Sequence, residues 1–237
     1  ASGEVVTALT ARQVEEMIRV ARKQDTFLME ALWTRFLPTT LKMLEWIEKD
    51  AIGNVRSVKA DFGFKAPFDP EKRIFNQKLG GGSLLDIGIY PVFLALLTLG
   101  FPDEVHAMAH IGKTDVEEEC GMLFGYDNGR MAHLHSTVRS ETNTEAFIYG
   151  EKGTIHLHSR WHEPTSMSLI NVEGEEQHFD VERIGNGYHY EAEEVMRCMA
   201  AGKKQSDRMS HDFSLQLIRL LDLIRAKAGI HYPDWDA

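Results

Sequence analysis

Between Glu104 and about Asp180 the chain runs as short alternating apolar and polar segments. They are broken at Asp127-Asn128-Gly129, at Gly150-Glu151-Lys152-Gly153 and at Glu173-Gly174. Turn residues set between period-two segments specify a meander of antiparallel strands. Helical periodicity returns from about Tyr188 to Ala200 and again from near Ser210 to Gly229. Strands in one run and helices in another give an α+β fold rather than an alternating α/β one.

The segments before this run are mixed. Thr10 and Gln13 have the spacing of a capping box, and Val14, Met17, Ile18 and Ala21 follow on one helical face. A short apolar strand is expected from Thr26 to Ala31, a helix after Pro38, and a strand over 55–64. Residues 65–82, with two prolines, four basic residues and three consecutive glycines, read as a surface loop, where function concentrates. A strongly apolar helix from Leu84 to Leu99 follows, stopped by Gly100 and Pro102.

Acidic residues outnumber basic ones 36 to 26, a formal charge of -10 over 237 residues. That excess repels phosphate backbones, so nucleic acid and anionic membranes are poor partners. No eighteen-residue apolar run marks a bilayer span, and the start lacks the pattern of a signal peptide. Cys120 and Cys198 belong to no CxxC pair and are expected as reduced, buried thiols of a cytosolic protein. His133-Leu134-His135 and His156-Leu157-His158 could place four imidazoles on one sheet face, a zinc-like set. Solvated histidines on a half-exposed sheet are the commoner case, and no metal is expected.

Five segments together resemble the glucose-fructose oxidoreductase / inositol dehydrogenase (Gfo/Idh/MocA) family, in its dihydrodiol and xylose dehydrogenase branch. They are MEALWTRFLP (29–38), AIGNVRSVKADFGF (51–64), LGGGSLLDIGIYPV (79–92), FIYGEKGTIHL (147–157) and YHYEAEEVMRCMAAGKK (188–204). The resemblance implies an NAD or NADP-dependent oxidoreductase of a sugar, polyol or diol. It also implies an open, mostly antiparallel sheet with helices on one face, preceded by a helix-strand remnant of a Rossmann domain. Residues 1–32 would end that nucleotide-binding domain, and 33–237 would form the substrate and dimerisation domain. No GxGxxG follows a strand here, so no cofactor-binding residue is assigned in this chain.

In the family the positions of Asp86 and Tyr90 face substrate and nicotinamide. They stand four residues apart on one helix, so one face can carry both. Hydride transfer at a hydroxyl carbon needs a group that moves the hydroxyl proton, and the Tyr90 phenol can do so. Asp86 can bind substrate hydroxyls or orient Tyr90. Arg73 is a candidate for holding an anionic or polyhydroxyl ligand, and Trp33 and Arg35 for the domain junction. The family's Glu-Lys-Pro motif reads Glu4-Val5-Val6 here. Valine cannot lower a phenol's pKa: either these residues stand at a splice or similar junction and the true motif is absent from this sequence, or the step is lost and the chain is a non-catalytic ligand-binding or dimerisation module. A homodimer is expected through the open sheet face, with Met131, His133, His135 and Thr137 on it.

Overall fold

The computed structural model describes residues 9–233 together with Trp235 and Asp236. Val5 and Val6, where the sequence departs from the family's motif, lie outside the described residues. One eight-stranded sheet forms the middle of the molecule: β1 Val55–Gly63, β2 Glu104–Ile111, β3 Glu117–Gly125, β4 Met131–Thr137, β5 Ala146–Gly150, β6 Gly153–Leu157, β7 Met167–Asn171 and β8 Glu176–Phe179. Five α-helices accompany it: α1 Ala11–Lys23, α2 Pro38–Glu48, α3 Ile89–Leu99, α4 His189–Ala200 and α5 His211–Ala228.

The sheet is open and mostly antiparallel, as expected, but it is not a simple meander. Its order is β2-β3-β4-β1-β5-β6-β7-β8, with β1 inserted beside β4 in parallel. A strand from before the apolar helix thus returns to the centre of a sheet otherwise built from consecutive hairpins. Local turn signals report neighbours in sequence, so they cannot reveal such an insertion.

Alternation divides the sheet into two faces. Val58, Ala60, Met122, Phe124, Leu134, Ile148 and Ile155 point to the covered side and are at most 5% exposed. Helix α3 lies there against β1 and β4, and α5 against β2. The run Gln77–Leu99 has the length and composition of a membrane span, yet 83% of its apolar window is buried inside the protein. It is the central helix of the core, with Val92, Phe93 and Ala95 fully enclosed.

Helix α1 begins as its sequence directs: Thr10 and Gln13 close the capping box reciprocally. It packs on α5, the Ala11 amide donates to Asp222 at 2.8 Å, and Val14 and Ile18 join the main core. Residues 26–31 do not form the expected strand. The Leu28 amide donates to the Lys204 carbonyl at 3.1 Å, in the loop before α5, so the segment is extended without a ladder partner. Thr137 also departs from expectation. It is fully buried, because the 138–144 connection and Gly63 close over the end of β4.

Candidate active site at the covered end of the central strands

The three glycines shape the entry to α3. Gly80 and Gly82 have φ of 66° and 130°, left-handed values that favour glycine. A Cβ at Gly81 would overlap the Arg73 carbonyl and the Asn76 backbone, and one at Gly82 the Glu117 carboxylate. Glu117, buried in β3, accepts from the Leu84 amide at 2.5 Å and so caps the following helix. Burial pushes its carboxyl up to about 8, against the pull of that amide. Tyr232 pins the loop from the other side by donating to the Gly81 carbonyl at 2.6 Å.

The helix then starts with one π turn, Leu84–Gly88, before α3 proper. π turns inside helices recur at functional sites because they re-aim side chains. This one carries Asp86, whose side chain is 14% exposed and pairs with Arg73 from the basic loop. Arg73 and Asp86, separate candidates in the sequence, are therefore one ion pair.

Tyr90 sits in the first turn of α3, 5% exposed. Its phenol oxygen accepts from Trp33 Nε1 at 2.9 Å. Trp33, in the short helical turn Trp33–Phe36, packs on Tyr188 with ring centres 4.5 Å apart. Trp33 thus touches the Tyr90 phenol directly. Arg35 does not join it: its Nε donates to the Arg208 carbonyl at 2.7 Å, on the connection between α4 and α5. Burial, and then the Arg208 guanidinium, pull Arg35 down to about 10.

Three residues around Tyr90 and Trp33 carry no functional mark in the sequence: Phe62, His162 and Tyr188. His162, 5% exposed, stacks on Phe62 at 3.9 Å between ring centres and lies 5.5 Å from the Tyr90 ring. Burial lowers its pKa, opposed by Glu163, whose Oε1 is 3.6 Å from Nε2. The shift favours the uncharged ring, and its buried Nδ1 has no hydrogen-bond partner. His162 comes from a loop after β6, where no periodicity or spacing marks it. Trp33, Phe62, Tyr90, His162 and Tyr188 together wall a polar spot with aromatic faces, beside the carboxyl ends of the parallel strands β1 and β4.

A dinucleotide's phosphates are held by free backbone amides behind a close glycine turn at a helix start. Here the glycines are packed against protein atoms and the Leu84 amide is taken by Glu117. Among the described residues the fit to a dinucleotide phosphate cradle fails, so none is assigned to it.

Residues 40–156 match the family model described as GFO/IDH/MocA C-terminal domain. The trans-1,2-dihydrobenzene-1,2-diol dehydrogenase of Danio rerio is 38% identical over 95% of this chain and 69% of its own length. The chain belongs to the Gfo/Idh/MocA family. Its members are NAD(P)-dependent oxidoreductases, and a second relative from this Gfo/Idh/MocA group is the D-xylose 1-dehydrogenase (NADP(+)) of Hypocrea jecorina. That enzyme is 27% identical over 98% of this chain and 67% of its own length. The Gfo/Idh/MocA fold recurs in the aldose-aldose oxidoreductase of Caulobacter crescentus, with a TM-score of 0.82 at 24% identity, covering 94% of this chain and 68% of that one. It recurs too in a 3-ketoreductase of Actinomadura kijaniata solved with NADP and TDP-benzene, with a TM-score of 0.80 at 23% identity, covering 93% and 68%.

Proposed function

We propose that this chain is the substrate-binding and oligomerisation part of an NAD(P)-dependent dehydrogenase acting on a sugar, polyol or diol. The observation that carries the reading is the Tyr90 phenol oxygen, fixed by Trp33 at 2.9 Å on the helix that also presents the Arg73–Asp86 pair. Oxidising a secondary alcohol removes a hydride from carbon and a proton from oxygen. The nucleotide supplies the hydride chemistry when bound, and this chain's residues handle the proton and the orientation.

Tyr90 takes the hydroxyl proton, or returns it in reduction. The hydrogen bond that Trp33 donates to the phenol oxygen fixes where that oxygen points, so Trp33 aims the group that exchanges the proton. Asp86, oriented by Arg73, accepts hydrogen bonds from neighbouring substrate hydroxyls. The aromatic walls take the C–H faces of a ring and exclude water.

In this reading residues 1–32 end a nucleotide-binding domain and 33–237 form the substrate and dimerisation domain. A homodimer through the open sheet face is supported by a concavity of about 680 Å³ there, lined by Lys59, His106, Leu123 and His133. Met108 stands on the same face, 80% exposed. Cys120 and Cys198 are free and buried, which suits a reducing compartment such as the cytosol. The second reading, a non-catalytic ligand-binding module, is favoured by Val5 and Val6 in place of the family's lysine and proline.

The test is turnover of a panel of aldoses, polyols and vicinal diols with NAD+ or NADP+, with the chain joined to its nucleotide-binding domain. Asp86→Asn is expected to raise KM and slow turnover together. The chain by itself is expected to bind either dinucleotide weakly or not at all by titration calorimetry. Absence of turnover across the panel in the joined protein would favour the module instead.

A further inference from the structure

The two histidine pairs do share the open face, as alternation requires, but the sheet keeps them apart. The register runs His133, Lys59, Phe147, His156 across β4, β1, β5 and β6. Three strand spacings of ~4.8 Å each separate the pairs by roughly 14 Å. What His158 meets instead comes from β8, a strand whose histidine is paired with nothing in sequence. His156 pairs across with Ser168, and Ser168 with His178. Glu176 and His178 stand two apart on β8 and so face the same way.

One ligand atom from each of His158, Glu176 and His178 lies within 4.8 Å of the other two. At their centre is the Ser168 hydroxyl, 2.9 Å from His158 Nε2 and 3.1 Å from His178 Nδ1, on a fully buried residue. That hydroxyl has one hydrogen to give to two ring nitrogens and a nearby carboxylate. A cation could draw on all three lone pairs at once. On the far side of the ring, His158 Nδ1 lies 2.7 Å from Ser166 Oγ. When that serine accepts a hydrogen bond from Nδ1–H, Nε2 is left with its lone pair facing the cluster, the outer-sphere arrangement that orients metal-binding histidines. A further imidazole crowds the spot. His156 lies 4.6 Å from the His158 ring, and its buried Nε2 has no hydrogen-bond partner, with Glu145 Oε1 3.6 Å away.

We propose that His158, His178 and Glu176 form a site for a divalent transition-metal ion of the zinc class at the β6–β8 end of the open face. Two imidazoles and a carboxylate match the donor preference of zinc. The His178 and Glu176 side chains are 58% and 42% exposed, which leaves a fourth position to water. The site departs from the sequence expectation of no metal, because the set is completed by a strand that no spacing pattern links to His158. It stands independently of the oxidoreductase reading.

The test is titration of chelator-treated protein with Zn2+ alone by calorimetry, and with Co2+ followed by its visible absorption. Expected are one ion per chain and four-coordinate cobalt bands. His158→Ala and His178→Ala should each abolish both signals, Glu176→Gln should weaken them, and Ser166→Ala should weaken binding about tenfold through the outer sphere. His133→Ala should change nothing. Glu176→Gln keeps the shape of an exposed side chain, so it remains informative if a histidine variant fails to fold. Absence of Zn2+ binding at micromolar concentration, unchanged binding in His178→Ala or Glu176→Gln, or equal loss in His133→Ala would overturn the proposal.

Discussion

On the covered face of the sheet, Phe124, Ala132 and Ile148 are fully enclosed, and three pairs of polar groups at its end are tied together: Trp33 to Tyr90, Arg73 to Asp86, Glu117 to the Leu84 amide. On the open face the same strands present Met108 at 80% exposure and a row of histidines, among them His156 with an unpartnered buried nitrogen. Because the side-chain period of a strand is two, one backbone carries both surfaces and each is tuned without the other. The covered side is preorganised: its side chains are already held in place by packing and hydrogen bonds. The open side keeps bonding capacity unspent, which is what a partner or an ion needs.

The largest expected effect breaks the covered face. Phe93, fully buried on α3, should cost about 3–5 kcal/mol on replacement by alanine, read from denaturant unfolding. A loss under about 1 kcal/mol would mean that α3 is not the core helix described.

A smaller effect separates the glycine loop from the rest of that face. Burial pushes the Glu117 carboxyl from its ordinary 4.5 up to about 8 in the folded protein. Between those values the folded state holds the extra proton, so stability falls as pH rises through the window. Glu117→Gln cannot ionise, so its melting temperature should vary less between pH 5 and pH 8 than that of the parent. Equal slopes would place the titration elsewhere.

The smallest effect on stability belongs to the open face. Met108→Asp should change monomer stability by no more than about 0.5 kcal/mol, as surface substitutions do. It should nevertheless shift the light-scattering mass from dimer to monomer. An unchanged dimer would move the interface off this face.

The capping box at Thr10, the stop at Gly100 and the αL cap at Gly229 were all legible, because each is a local rule acting within a few residues. So was the motif LGGGSLLDIGIYP, although its glycines serve close packing against Arg73 and Glu117, which only the fold displays. Legibility failed where partners are remote in sequence. Residues 26–31 have the composition of a strand but no ladder, and β1 enters the sheet between strands that follow it. Of the candidate site, Tyr90, Asp86, Arg73 and Trp33 are legible in the sequence, but not the contacts that join them in pairs. Arg35 donates to the Arg208 carbonyl, a partner too remote in sequence for any spacing to mark. His162 and the His158–His178 meeting were invisible because loops and non-local strand pairs leave no period to detect.

The central claim is that Tyr90 moves the substrate proton on the covered face. Tyr90→Phe removes one oxygen and keeps the ring among Trp33, Phe62 and His162. The direct measurement is kcat with a preferred polyol, alongside the melting temperature, for this variant joined to its nucleotide-binding domain. The account predicts a fall of roughly 10²–10⁴-fold in turnover with the melting temperature little changed. Turnover at the parent's rate would show that the phenol only accepts the Trp33 hydrogen bond and that the proton travels by another group.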